Sequence, residues 1–113
     1  MKVITRLYSD HYMVSVAGSI LPEEVGAFDN QLQQALQTPP TFVVIDCQQL
    51  KYVCTTALRS FLRFQEQFQN HHKKLILFGL QPEVVKTFSS TGMEAFFTIV
   101  ATYEQALRCV AKW

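Results

Sequence analysis

Thr41-Phe42-Val43-Val44-Ile45-Asp46 decides the fold. The run is almost unbroken in its apolar character, rich in β-branched residues, and set off from what precedes it by Pro39-Pro40. Such a segment fits a strand buried on both faces, the habit of central strands in parallel sheets. Lys74 to Gly79 repeats the theme with Leu75-Ile76-Leu77-Phe78. Between the two runs, Ala57, Leu58, Phe61, Leu62, Phe64 and Phe68 recur at helical spacing up to Asn70-His71-His72. A strand, a helix and a second strand in this order predict a parallel pair joined by a right-handed crossover.

Working outward, the pattern extends in both directions. Downstream, Pro82-Glu83 opens a helix with Val84, Val85 and Phe88 inward and Gly92 as its stop. Phe96 to Ala101 reads as a strand, and Thr102 as the cap of a last helix bearing Tyr103, Ala106, Leu107 and Val110. Upstream, Pro22 followed by Glu23 and Glu24 suits a first helical turn, and Leu21, Val25, Phe28, Leu32 and Ala35/Leu36 form one apolar face through Gln37. Gly26 within that helix marks either a close contact or, the commoner case, a tolerated surface glycine. Val3, Thr5 and Leu7 alternate with polar neighbours, and Tyr12 to Val16 keeps the aromatic and β-branched bias, giving a hairpin turning at Asp10-His11. The predicted order is ββαβαβαβα, a single α/β domain over residues 1–113 with a mixed, mainly parallel sheet and helices packed on it.

Composition narrows the function. The chain has 113 residues, 49% of them hydrophobic, which is enough for one core without metals or disulfides. A formal charge of +1, spread along the chain, is not the footprint of a nucleic-acid binder. The first residues lack the apolar core of a signal peptide, and no run approaches the roughly 18 apolar residues of a membrane span. A cytoplasmic protein with no membrane insertion is expected. Cys47, Cys54 and Cys109 are an odd number at spacings that suit neither a disulfide framework nor zinc, so reduced thiols and no metal are expected.

In a parallel α/β sheet, function collects beyond the carboxyl ends of the strands, where the segment from Asp46 to Ala57 lies. Val53-Cys54-Thr55-Thr56-Ala57 sets two hydroxyls at a helix start, where free N–H groups and the helix dipole favour an anion. Either threonine suits a phosphate there; simple capping is the commoner use of threonine at this place. Cys54 at the same helix start has the setting of an activated thiol, although an inert buried cysteine is the commoner case. His71 and His72 fall at the far end of that helix, His11 sits in a hairpin turn with solvent as its expected environment, and there is no Gly-rich phosphate loop and no Cys-x-x-Cys. No catalytic residue and no cofactor is predicted. Phe61, Phe64 and Phe68 read first as core, with a docking face rimmed by Lys51, Arg59 and Arg63 as the alternative.

The strand Phe42-Val43-Val44-Ile45-Asp46, eight further residues, and then Thr55-Thr56-Ala57-Leu58 resemble the signature segment of STAS domains. Leu77-Phe78-Gly79-Leu80-Gln81-Pro82-Glu83-Val84, Phe88, Gly92-Met93, Phe97-Thr98-Ile99 and Ala106-Leu107 are similar to the strands, proline-started helix, glycine stop and closing helix that follow it in the family. The resemblance, closest to bacterial anti-sigma-factor antagonists, implies a non-enzymatic regulator of transcription that binds a serine/threonine kinase-type anti-sigma factor. In that family the first hydroxyl residue at this helix start is phosphorylated by the partner; here it is Thr55, with Thr56 as second choice. The unphosphorylated antagonist holds the anti-sigma factor and frees the sigma factor, and phosphate breaks the complex. The partner contact implied falls on Ser19, Tyr52, Cys54, Thr55, Thr56, Ala57, Leu58 and Arg59. Weak homodimerisation is compatible with it.

Three positions depart from the family pattern: Cys54 stands for the usual aspartate, Thr55 for serine and Ala57 for glycine, and Gly18-Ser19-Ile20-Leu21 lacks the acids often found after the second strand. These departures keep open an alternative, a diverged, non-phosphorylated STAS scaffold subunit of a signalling or lipid-transport complex.

Overall fold

The computed structural model describes residues 1–111. Its elements are β1 (Lys2–Leu7), β2 (His11–Ile20), a 3-10 turn (Pro22–Glu24), α1 (Val25–Gln37), β3 (Phe42–Asp46), β4 (Leu50–Val53), α2 (Thr55–Asn70), β5 (Lys74–Phe78), α3 (Pro82–Ser90), a 3-10 turn (Met93–Phe96), β6 (Thr98–Val100) and α4 (Tyr103–Ala111). The sheet runs β1-β2-β3-β5-β6, with β4 attached to β2 off that path. Only β1 and β2 are antiparallel; β2 with β3, β3 with β5 and β5 with β6 are parallel.

The central strands are buried because each face meets helices. Val43, Ile45, Leu75 and Leu77 point into the larger core with α1, α2 and α3, where Phe28, Phe61 and Phe88 fill the interior. Val44, Ile76 and Phe78 point the other way, against Ala106 and Val110 of α4. Burying these side chains on both faces is the main source of stability, each contributing roughly 1.5–3 kcal/mol relative to exposure. α4 starts where expected: the Gln105 N–H donates to Thr102 Oγ1 at 3.2 Å, and the Ala106 N–H to the Thr102 carbonyl at 3.1 Å.

Several expectations are corrected. Leu50–Val53, read as loop, is a short strand paired in parallel with the far end of β2. The last strand begins at Thr98, and Phe96 lies in the preceding 3-10 turn, 60% exposed. Leu21, Leu62 and Val85 were expected inward and are exposed, since each lies at the margin of its apolar arc. Gly26 stands in the open, with nothing within 4 Å of a Cβ placed there, so it marks no close contact.

His11 is the largest departure, being 3% exposed and far from a solvated turn. Its Nδ1 lies 2.7 Å from Asp10 Oδ1, its Nε2 lies 2.8 Å from the Tyr103 hydroxyl, and the Tyr8 ring stacks on it at 4.5 Å. With Nδ1–H donating to the carboxylate, Nε2 is the acceptor for the tyrosine O–H. The cluster fastens the start of α4 to the hairpin at the other end of the chain.

Candidate functional site

The start of α2 hangs from β2. Ser19 pairs with Tyr52 and Ile20 with Val53, and the Cys54 N–H donates to the Ile20 carbonyl at 3.1 Å. Beneath it, the turn after β3 is tied down on three sides. Cys47 N–H donates to the Phe78 carbonyl at 3.0 Å, Gln48 N–H to Asp46 Oδ1 at 3.0 Å, and Gln81 Nε2 to the Gln48 carbonyl at 2.7 Å. Gly79 makes room for this: at φ +73 it has a left-handed backbone, and a Cβ there would stand 2.5 Å from Gln48 Cγ.

Cys54, in extended conformation, is the N-cap residue, and its side chain makes no capping bond. Its carbonyl accepts the Leu58 N–H at 3.0 Å, the first turn of the helix. Thr55 and Thr56 follow as the first two helical residues, exposed, and neither hydroxyl has a hydrogen-bond partner among the described residues. Neither threonine is therefore the cap: the N-cap position belongs to Cys54, and no side chain caps the helix there. The first N–H groups of α2 and its positive dipole end face the Thr55 side, with no acidic residue in the first turn. Arg59 is exposed and one turn below Thr55, at the spacing where two helical side chains meet.

Of the other residues expected here, Tyr52 is 51% exposed and Ser19 half-buried, while Cys54, Ala57 and Leu58 are buried. The last three support the surface from below. Leu21, 38% exposed and next in the chain to the Ile20 that anchors Cys54, adds an apolar group that sequence reasoning had assigned to the core. Leu21 and Tyr52 are thus exposed apolar groups on the segments that meet at the Cys54–Ile20 bond, and Lys51 and Arg59 are exposed as well. Arg63 is not part of it: it pairs with Asp29 of α1 at 2.8 Å. Phe61, Phe64 and Phe68 are core.

The thiols do not assemble a reaction centre. Cys47, Cys54 and Cys109 are all free, and no histidine contacts Cys54 among the described bonds. Burial pushes the Cys47 thiol up, with the Asp46 charge adding to it, so it is held protonated. No group of His, Cys, Asp and Glu suited to a metal ion occurs among the described residues, and no helix there is long and apolar enough to cross a membrane.

These features define a mainly parallel α/β domain that presents hydroxyls at an exposed helix start beyond its strands. The chain belongs to the STAS domain family, whose model matches residues 2–106. Among curated protein sequences none matches. The fold is similar to an anti-sigma factor antagonist from Mycobacterium paratuberculosis, with TM-score 0.87 and 18% identity over 97% of this chain and 93% of that one. It is similar to the anti-sigma factor antagonist SpoIIAA in its unphosphorylated form, with TM-score 0.82 and 17% identity over 99% and 98% of the two chains. A sulfate transporter family protein from Wolinella succinogenes also shares it, with TM-score 0.76 and 14% identity over 94% and 88%. At these identities the likeness carries the fold.

Proposed function

We propose that this chain is a cytoplasmic, non-enzymatic anti-sigma-factor antagonist that binds a serine/threonine kinase-type anti-sigma factor through the start of α2 and is released by phosphorylation of Thr55. The observation that carries the reading is the exposed, unbonded Thr55 hydroxyl at the N-terminal end of α2, with exposed Tyr52 and Leu21 on the two chain segments that meet at the Cys54–Ile20 bond. A hydroxyl in this position is open to a kinase. Exposed apolar groups with a polar rim are the make-up of a protein contact. Phosphate would add about −1.5 to −2 charges within reach of free helix N–H groups and Arg59, which tolerate it in the isolated domain. A partner packed over Tyr52 and Thr55 would meet that charge in a desolvated interface, and the complex would weaken while the fold stays intact. Thr56 is the second-choice acceptor. Tyr52, Thr55, Thr56, Arg59 and Ser19 make the contact, with Cys54, Ala57 and Leu58 as its buried support.

The second reading, a STAS scaffold without the phosphate switch, is favoured by the residue at the N-cap: a buried thiol stands where the family's aspartate would offer a charged capping group. Affinity recovery from the source cells separates the two. Wild-type chain should recover an ATP-binding anti-sigma kinase and carry phosphate on Thr55, and Thr55→Glu should lose the partner with an unchanged circular dichroism spectrum. Equal recovery of one complex by both proteins, without phosphate, would overturn the switch and leave the scaffold.

A further inference from the structure

The sheet ends in two edges, β1 and β6, and they are unlike. β6 is three residues long and has little backbone to offer another chain. β1 is six residues long, carries no proline, and keeps an unbroken register with β2 from Lys2 to Leu7. Its outer side has no strand beside it.

The ladder fixes which backbone groups are open. The Tyr8 N–H donates to the His11 carbonyl at 2.9 Å, so these two residues form a bonded pair. Bonded and non-bonded pairs alternate along an antiparallel ladder. Arg6, Ile4 and Lys2 therefore turn their N–H and C=O groups toward Met13, Ser15 and Ala17 of β2, and Leu7, Thr5 and Val3 turn theirs outward. No backbone bond to the outward groups occurs among the described residues.

Side chains alternate along the same strand. Lys2, Ile4 and Arg6 share one face, where Ile4 is 58% exposed between two exposed cations. Thr5 and Leu7 share the other, both exposed, and β1 has no acidic residue. A second copy added antiparallel about Ile4 would set Lys2 against Arg6 of the other copy, and like charges directly opposite one another are destabilising. The same two cations favour an acidic strand.

We propose that the open edge of β1 binds an extended acidic segment of a partner protein by strand addition. The added strand bonds to the main chain of Val3, Thr5 and Leu7. On the Ile4 face its side chains run acid, apolar, acid, opposite Lys2, Ile4 and Arg6. Main-chain bonds supply the affinity of such a contact, and the charge pattern selects the sequence. The site does not depend on whether Thr55 accepts phosphate.

The probe is the acetylated, amidated peptide Thr-Glu-Thr-Val-Thr-Glu-Thr, which reads the same in both directions and so fits either strand polarity. Amide NMR on the whole chain, with the peptide raised to about 3 mM, should show saturable shifts along β1 and a Kd on the order of 0.1–0.5 mM. Hydrogen exchange at the Val3, Thr5 and Leu7 amides should slow several-fold near saturation, while the Ile4 and Arg6 amides, already bonded to β2, should not change. Thr5→Pro removes an outward N–H and no bond to β2, so it should keep the circular dichroism spectrum and weaken binding about tenfold. Lys2→Glu combined with Arg6→Glu should lose this peptide and bind Thr-Lys-Thr-Val-Thr-Lys-Thr in its place. No binding of the acidic peptide at the highest concentration would overturn the proposal. So would equal binding of both peptides by the wild type, or a Thr5→Pro chain that binds as the wild type does. Protection of the three outward amides that rises with protein concentration, without peptide, would assign the edge to a second copy and overturn it as well.

Discussion

Replacing His11 tests how the hairpin and the last helix are joined. Its imidazole is buried, stacked on Tyr8 at 4.5 Å, and bonded at both nitrogens to Asp10 and Tyr103. His11→Ala removes both bonds, each worth about 1 kcal/mol net, and leaves a gap under Tyr8 costing about 1 kcal/mol more, for a total near 3 kcal/mol. Tyr103 is half-exposed, so its stranded hydroxyl turns to water and adds little. Tyr103→Phe removes a single oxygen yet leaves Nε2 of a buried ring unbonded, a penalty of about 2 kcal/mol, more than the lost bond alone. The double variant should therefore be more stable than the sum of the two losses implies, with a coupling of about 1–2 kcal/mol. Urea unfolding followed by circular dichroism measures all of these quantities. If Tyr103→Phe lies within about 0.5 kcal/mol of the wild type, the His11 contact does not hold the helix and the reasoning is refuted.

Gly26→Ala should stabilise the domain by about 0.5–1 kcal/mol, because the helix gains a better former and the added methyl meets nothing, and a thermal melt reads the gain directly. Gly79→Ala should cost about 1–2 kcal/mol from the left-handed backbone alone, with the Gln48 side chain moving aside; urea unfolding measures it. Burial, with the nearby Tyr8 and Asp10 charges, raises the Tyr103 hydroxyl above the usual phenol range. The folded chain then keeps that proton after the unfolded chain has lost it, so stability falls as pH climbs above about 10, and Tyr103→Phe should flatten that slope in denaturation curves taken from neutral to alkaline pH.

The central strands were legible because Phe42–Asp46 and Lys74–Phe78 are buried on both faces, and continuous apolar runs have few other uses in a domain of this size. β4 was not legible, since only Leu50 and Val53 face inward and the two residues between them are exposed, which breaks the alternation a strand advertises. His11 was misread for a different reason. Its burial depends on a tyrosine 92 residues away, and no local pattern carries that information. At the site, the spacing from Asp46 put Thr55 correctly at an exposed helix start. The assignment of Cys54, Ala57 and Leu58 to the contact surface missed that the bond from Cys54 to the Ile20 carbonyl draws this turn against the sheet.

The buried thiols give the molecule two built-in clocks. Cys47 lies in the turn just past the end of β3 and Cys54 at the N-cap of α2, 1% and 5% exposed, each reduced and neither bonded to the other. A thiol reagent reaches them only when the chain opens, so the modification rate at each counts excursions from the native state at its own depth. Equal rates mean that the helix start comes away only when the whole core does. A faster rate at Cys54 means that the surface offered to a partner breathes independently of the sheet that carries it.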